Sequence, residues 1–196
     1  VMELWKTDLI PCFEQRRRTP EMLTLVSRGV PACVRRQYWD KAVGNRLRLG
    51  QRELDRLLQR MERTMEEVKD TDSYRGLDAD IPRTRRLSWS DAYAEENADD
   101  LRAILSAFSM LRPRIGYVQG MSFVAAHVLA VVGDRAGAFA LFSNLMEQHF
   151  FVPFYLMEVR AHTHTHRHTH THARTHISLF VCVLCVCVCV CVCMCV

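Results

Sequence analysis

The clearest pattern of hydrophobic and polar positions lies in the stretch QRELDRLLQRMERTMEEV, which begins at residue 51. Its apolar residues recur at intervals of three and four, with arginine and glutamate between them. That spacing places one apolar stripe along a helix of about five turns. The stripe consists of Leu54, Leu57, Leu58, Met61, Met65 and Val68. It covers too few heptads for a coiled coil, so we predict a helix that packs on a core.

Shorter patterns predict helices on the N-terminal side of this stretch. In EMLTLVSRGV, clustered apolar residues are followed by Gly29, which is a typical helix stop. The segment PACVRRQYWDKAV opens with Pro31, which suits a first helical turn, and is followed by Gly44.

Three more helices are predicted on the C-terminal side. Asn97 can cap the first, whose apolar face consists of Leu101, Ile104, Leu105, Phe108 and Leu111. The stretch YVQGMSFVAAHVLAVVG is apolar on nearly all sides and predicts a buried helix that ends at Gly133. Asp134 can cap the helix that follows.

Residues 71–90, TDSYRGLDADIPRTRRLSWS, interrupt this periodicity. They contain Gly76, Pro82 and many short polar side chains, so we predict a loop or a loop-flanked short turn. The chain shows no alternating strand pattern before residue 161 and no internal repeat of about 20–50 residues. The patterns therefore predict an all-α fold.

Residues 161–196 form a low-complexity tail. Seven of the nine His and seven of the nine Cys lie there, each group in a two-residue alternation. Such a tail is compatible with a zinc or nickel site, with a disulfide or thiolate scaffold, and, through the uncharged residues 177–196, with a membrane span. Runs of CA and TG dinucleotides, however, translate as His-Thr and Val-Cys. We therefore expect the tail to be an artefact of the gene model, which reads an intron as protein.

Composition outside the tail limits the function classes. Only Cys12 and Cys33 remain, which fits a reducing cytosolic compartment. The net charge of +4 is mild and does not by itself indicate nucleic acid. Residue 1 is Val, so we expect the start to be missing, and we find no secretory signal. The sequence contains no P-loop, HExxH or GxSxG motif, and we predict structural roles for His127 and His149.

Three segments could carry chemistry. They are RGVPACVRRQYW at residues 28–39, LDADIPRT at residues 77–84 and GYVQGM at residues 116–121. In the second, Pro82 pushes Ile81 toward extended geometry, so we predict a stiff loop that aims Arg83 outward. Taken alone, Arg83 is more simply a surface arginine near a turn. We predict Gln119 one turn into a buried helix, where it must be hydrogen-bonded or face a cleft. Taken alone, Gln119 is more simply explained by a capping or packing role.

Together the three segments resemble the TBC domain, the Rab GTPase-activating module. The family pattern I-x-x-D-x-x-R appears as Leu77, Asp80 and Arg83, followed by Thr84. The family pattern Y-x-Q-G appears as Tyr117, Gln119 and Gly120. The opening pattern G-I-P-x-x-x-R-x-x-x-W appears as Gly29, Val30, Pro31, Arg35 and Trp39. The resemblance implies a TBC-type helical domain over residues 21–160, with a flank at residues 1–20.

The resemblance also implies how such a domain acts, in trans on a Rab-family GTPase loaded with GTP. Arg83 would be an arginine finger that stabilises charge on the transferring γ-phosphoryl group, and Gln119 a glutamine finger that orients the attacking water. Asp80 would orient Arg83, with Tyr117, Gly120 and Thr84 in supporting positions. Gly29, Pro31, Arg35 and Trp39 would be structural.

By the same resemblance, the chain would be a GTPase activator in vesicle trafficking rather than an independent enzyme. It would have no metal and no cofactor of its own, because GTP and Mg²⁺ would be carried by the partner. We expect no nucleic-acid partner and a cytoplasmic location, peripheral to endomembranes and reached only through the Rab.

Two departures from the family pattern affect this interpretation. Arg85 and Arg86 follow Thr84 where the family often has an aromatic residue and Pro, and they could compete with Arg83 or steer the GTPase. The resemblance covers only the N-terminal two-thirds of a TBC domain, and the tail replaces the remaining helices. Without those helices, the helices that remain would expose apolar surface, which costs roughly 25 cal/mol per Å². We therefore expect this chain to be poorly folded and nearly inactive.

Two alternatives remain open at this stage. The first is a non-catalytic scaffold that binds Rab proteins through the same fold. The second is a single-pass membrane protein anchored by residues 177–196.

Overall fold

A computed structural model describes residues 1–84, 97–148 and 155, and the regular structure in this part of the chain is helical. The helices are α1 (Met2–Leu4, continued by a π-helical turn at Trp5–Leu9), α2 (Phe13–Arg16), α3 (Pro20–Ser27), α4 (Ala32–Val43), α5 (Gln51–Val68), α6 (Asp72–Thr84), α7 (Ala98–Leu111), α8 (Met121–Val132) and α9 (Arg135–Met146). The prediction of an all-α fold is confirmed. The predicted tail and three side chains discussed above, Arg85, Arg86 and His149, lie outside the described residues.

Helix α7 lies at the centre of the fold and packs against α5, α6, α8 and α9. Four of the five residues of its predicted apolar face are buried, whereas Leu111 is half-buried. Phe108 meets Phe142 of α9 edge to face with ring centroids 5.2 Å apart. Helix α4 packs on α8 and α9. A single hydrophobic core therefore connects all these helices.

The amphipathic helix predicted from residue 51 is confirmed as α5. Leu54, Leu57 and Met61 are buried, whereas Met65 and Val68 are only half-buried. The apolar stripe thus meets the core along its N-terminal part and diverges from it toward the C-terminal end.

The N-terminal residues also enter the core, although the sequence interpretation treats them as a flank. Trp5, Leu9 and Phe13 are buried, and the rings of Trp5 and Phe13 meet Tyr38 edge to face with centroids 5.9 and 5.7 Å apart. Their spacing of four residues is a helical signal, but it extends over elements of only three to five residues.

The prediction of a loop at residues 71–90 is wrong for residues 72–84, which form α6. Ile81 is helical rather than extended, with Pro82 inside the last turn. Pro82 removes a single backbone hydrogen bond, the one that would reach the Asp78 carbonyl. Burial of Leu77 and Ile81, four residues apart, supplies the packing that offsets this loss.

Helix α8 ends where the sequence predicts. Gly133 has φ +81° and closes the helix, and Asp134 caps α9 by accepting a hydrogen bond from the backbone N–H of Gly137 at 2.7 Å. Arg36 of α4 donates to the Val132 carbonyl at 2.6 Å and pairs with Asp134 at 2.8 Å. These contacts fix the α8–α9 corner against α4.

Candidate functional site

Asp80 is a buried acid near the C-terminal end of α6, with a side chain only 4% exposed. Its Oδ1 accepts a hydrogen bond from Nη1 of Arg83 at 3.0 Å, and its Oδ2 accepts one from the Tyr117 hydroxyl at 2.7 Å. The Thr84 hydroxyl donates to the Asp80 backbone carbonyl at 2.9 Å. A buried carboxylate is stable only with such donors. Asp80 therefore joins the LDADIPRT and GYVQGM segments.

Arg83 lies on the last turn of α6, with its side chain 56% exposed. Asp80 holds one of its nitrogens, and the guanidinium makes no other hydrogen bond with a described residue. Arginine carries five N–H donors in a planar fork. Among the described residues nothing else occupies the remaining donors, and a buried carboxylate restrains one tip of the fork.

The prediction that Gln119 lies inside a buried helix is wrong. Gln119 is exposed in a turn, and α8 begins only at Met121. Gly116 and Gly120 flank this turn with φ of +64° and +95°, a left-handed conformation that interrupts a helix. The Gln119 side chain is exposed and makes no hydrogen bond with a described residue.

Tyr117 belongs to this turn, and its side chain is buried against α6. Burial raises the pKa of its phenol, and the negative charge of Asp80 raises that pKa further. The Ser122 hydroxyl lies near enough to oppose this shift, although it makes no hydrogen bond of normal geometry with a described residue. The phenol therefore stays protonated and donates to Asp80.

The backbone of Tyr117 is held as well. Its N–H donates to the hydroxyl of Ser73, in the first turn of α6, at 2.6 Å. Gly116 makes room for this contact, because a Cβ at that position would lie 2.7 Å from the Ser73 Oγ. Tyr117 is thus attached to α6 at both ends.

The opening motif lies elsewhere, around the start of α4. Gly29 has φ +103°, Pro31 is the N-cap of α4, and Arg35 donates from Nε and Nη2 to the Val30 carbonyl at 3.2 and 3.0 Å. These residues make none of the hydrogen bonds that connect to Asp80.

Trp39, the last residue of that motif, is buried in the core. Its ring meets that of His127 on α8, with centroids 5.5 Å apart. Burial lowers the pKa of His127, and the nearby charge of Arg35 lowers it further. His127 of α8 therefore has a packing position against Trp39 of α4.

Sequence reasoning missed Ser73 and Ser122. Ser73 lies in a segment predicted as a loop, so no register relative to Tyr117 could be assigned. Ser122 directly follows GYVQGM and could have been found as the first polar side chain of a buried helix.

The helical architecture matches that of a solved domain, described as the crystal structure of the Chlamydomonas flagellar RabGAP TBC domain. The match has a TM-score of 0.52 at 18% identity and covers 71% of this chain and 49% of that chain. The Rab-GTPase-TBC domain model matches residues 32–169. The chain belongs to the Rab-GTPase-TBC domain family.

Curated relatives agree with this assignment. TBC1 domain family member 12 of Rattus norvegicus is 33% identical over 75% of this chain, and TBC1 domain family member 14 of Homo sapiens is 32% identical over 74%. GTPase-activating protein GYP5 of Eremothecium gossypii is 28% identical over 68%. The chain spans 23% of the length of the first two relatives and 14% of the third.

The membrane-anchor alternative rests on residues 177–196, which lie outside the described residues. Within the described part of the chain, the helices are too short or too polar to cross a bilayer.

Proposed function

We propose that this chain is a GTPase-activating protein for a Rab-family GTPase, with Arg83 and Gln119 acting in trans. The observation that carries the proposal is the hydrogen-bonded connection from Arg83 through Asp80 to Tyr117. It connects the helix that carries the exposed Arg83 to the residue two positions before the exposed Gln119, which supports a site that uses both side chains.

Arg83 suits the role of an arginine finger. Phosphoryl transfer demands positioned positive charge rather than covalent chemistry, and a finger supplied in trans is worth roughly 10³–10⁵ in rate. A guanidinium stays charged and pairs with phosphate oxygens through two N–H groups. Asp80 holds one Nη while the rest of the fork faces outward, so the group is oriented before a GTPase binds.

Gln119 suits the role of a glutamine finger. Its amide carries both donors and an acceptor, which is what orienting a water molecule against a phosphoryl group requires. It lies two residues beyond Tyr117, whose phenol and backbone are both bound to α6. The amide is therefore presented by a restrained turn.

GTP and Mg²⁺ belong to the partner in this proposal, and this chain supplies only the two side chains. The location follows from the partner: the chain would reach endomembranes through the Rab and would act in vesicle trafficking.

The test is single-turnover GTP hydrolysis by a panel of Rab proteins, with the 196-residue chain and three variants. Arg83→Ala should remove whatever stimulation the unaltered chain gives, because a finger supplied in trans is worth about 10³-fold or more in rate. Gln119→Ala should lower it strongly while Rab binding is retained. The matched control is Arg75→Ala, since Arg75 is also exposed on α6 and pairs only with Asp70 among described residues.

Two outcomes separate the activator from the scaffold, and a third bears on how well the chain folds. Loss of stimulation in Arg83→Ala but not in Arg75→Ala supports the proposal. A cooperatively folded chain that binds a Rab without accelerating hydrolysis supports the scaffold alternative. Strong stimulation by the unaltered chain would also contradict our expectation that it is poorly folded and nearly inactive, which stays a prediction.

A further inference from the structure

We propose that Ser73 is a positioning residue for Gln119, acting through the backbone of Tyr117. Ser73 belongs to none of the three motif segments. Its hydroxyl accepts the Tyr117 N–H at 2.6 Å and lies against Gly116, the first residue of the turn that carries Gln119. The inference rests on the proposed function for its kinetic consequence, whereas its structural part is independent of that function.

The geometry shows why the phenol contact alone cannot fix Gln119. The Tyr117 hydroxyl is at the far end of a long side chain, and rotation about its side-chain bonds moves the backbone while the contact with Asp80 is kept. The Ser73 contact is made to the backbone itself, two residues before Gln119. Ser73 therefore determines where the turn lies, and Asp80 determines where the ring lies.

The two contacts are well separated along α6. Ser73 and Asp80 are seven residues apart, which corresponds to about 10 Å of helix at 1.5 Å per residue. Tyr117 lies along this length, with its ring beside Gly76, where an added Cβ would be 3.6 Å from the ring. Because Tyr117 is bound through both its backbone and its hydroxyl, the turn cannot slide along α6. Arg83 follows three residues after Asp80 on the same rigid helix.

Ser73 is not needed to cap its own helix. The hydroxyl of Thr71 accepts the backbone N–H of Tyr74 at 3.3 Å and thereby serves the start of α6. The Ser73 hydroxyl is instead directed at a segment 44 positions away in sequence. This division of roles is unexpected for a serine in a first helical turn.

A cavity beside Ser73 supplies a matched control. It has a volume of about 400 Å³, lies between α5, α6 and α7, and is lined by both Ser73 and Ser109. The Ser109 hydroxyl donates to the Leu105 carbonyl within its own helix at 3.0 Å and does not reach the turn. Ser109→Ala thus removes a hydroxyl from the same cavity without touching Tyr117, and Ser73→Thr keeps the hydroxyl that accepts from Tyr117.

The first experiment is amide hydrogen exchange of the 196-residue chain and its Ser73→Ala, Ser73→Thr and Ser109→Ala variants. Ser73→Ala should speed exchange of the Tyr117 amide by about tenfold while the α7 amides keep their protection. Ser73→Thr should restore the slow rate, and Ser109→Ala should leave it unchanged. An unprotected Tyr117 amide in the unaltered chain, or equal rates in Ser73→Ala, would overturn the proposal.

The second experiment measures kcat and KM for stimulated GTP hydrolysis on the responsive Rab. Misplacing Gln119 by about 1 Å should lower kcat by roughly 10²-fold while KM stays within about threefold, because the binding surface is intact. Equal loss in Ser109→Ala, or a change confined to KM, would refute a positioning role. If the unaltered chain folds cooperatively but stimulates no Rab, the proposed function fails, and hydrogen exchange alone decides whether Ser73 holds the turn.

Discussion

Tyr117→Phe isolates one hydrogen bond at the centre of the candidate site. The substitution removes only the hydroxyl that donates to Asp80 at 2.7 Å and keeps the ring that packs beside Gly76. It leaves Oδ2 of a carboxylate that is 4% exposed without its donor. Hydrogen bonds to charged groups contribute about 1.5–3 kcal/mol, and a buried acceptor without a partner is costly. We therefore expect a loss of about 2 kcal/mol in the free energy of unfolding.

This loss is measured by urea unfolding followed by circular dichroism. The midpoint should fall with little change in slope, and Tm should drop by about 4–8 °C. Tyr74→Phe is the matched control, because the Tyr74 hydroxyl lies at a half-exposed surface beside Arg102, where water can replace it. The free energy of unfolding of this control should fall by less than about 0.5 kcal/mol.

A double-mutant cycle tests the assignment of the loss to this contact. Tyr117→Phe combined with Asp80→Asn should cost less than the sum of the single variants, with a coupling free energy of about 1–2 kcal/mol. If Tyr117→Phe is as stable as the unaltered chain, or if the cycle shows no coupling, then the phenol does not stabilise Asp80.

Three further predictions follow from backbone geometry and titration. Gly116→Ala should cost more than about 2 kcal/mol and speed exchange in the adjacent turn, because φ is +64° and the new Cβ would lie 2.7 Å from the Ser73 Oγ. Gly76→Ala should raise Tm and increase the free energy of unfolding by up to about 1 kcal/mol. Alanine favours the helix, and the new Cβ would lie at an ordinary 3.6 Å from the Tyr117 ring. Burial and Arg35 lower the pKa of His127 from 6.5, so the unfolded chain binds more protons and stability falls as pH drops through that value. His127→Phe should reduce this fall in urea midpoint between about pH 7.5 and pH 5.5.

Helices whose stability comes from a regular apolar face were predictable from the sequence. The repeat of Leu54, Leu57 and Met61 is enough to define α5, and Gly133 defines the end of α8. In these elements the local pattern and the tertiary packing favour the same structure, so local rules suffice. The short N-terminal helices escaped this reasoning because Trp5 and Phe13 gain their burial from contact with Tyr38 rather than from a long stripe.

The residues of the candidate site could be selected from the sequence, but their local structure could not be predicted. Arg83 was expected on a stiff loop and lies on a helix, and Gln119 was expected inside a helix and lies in an exposed turn. Both errors arise because the stabilising contacts are long-range. The bond from Tyr117 to Asp80 joins positions 37 apart, and no window of local sequence contains both partners.

The two mispredicted segments are also those that carry the proposed chemistry, and there is a physical reason for the coincidence. Helix α6 contains a glycine, a proline and a buried carboxylate, and the turn at Gly116 and Gly120 holds two left-handed backbone conformations. Each feature opposes local preference and requires compensation from elsewhere in the fold. A site that must present Arg83 and Gln119 outward in a fixed relation needs a buried connection between their backbones. Asp80 and Tyr117 provide that connection, and the same contacts stabilise a helix and a turn that local sequence would not form by itself.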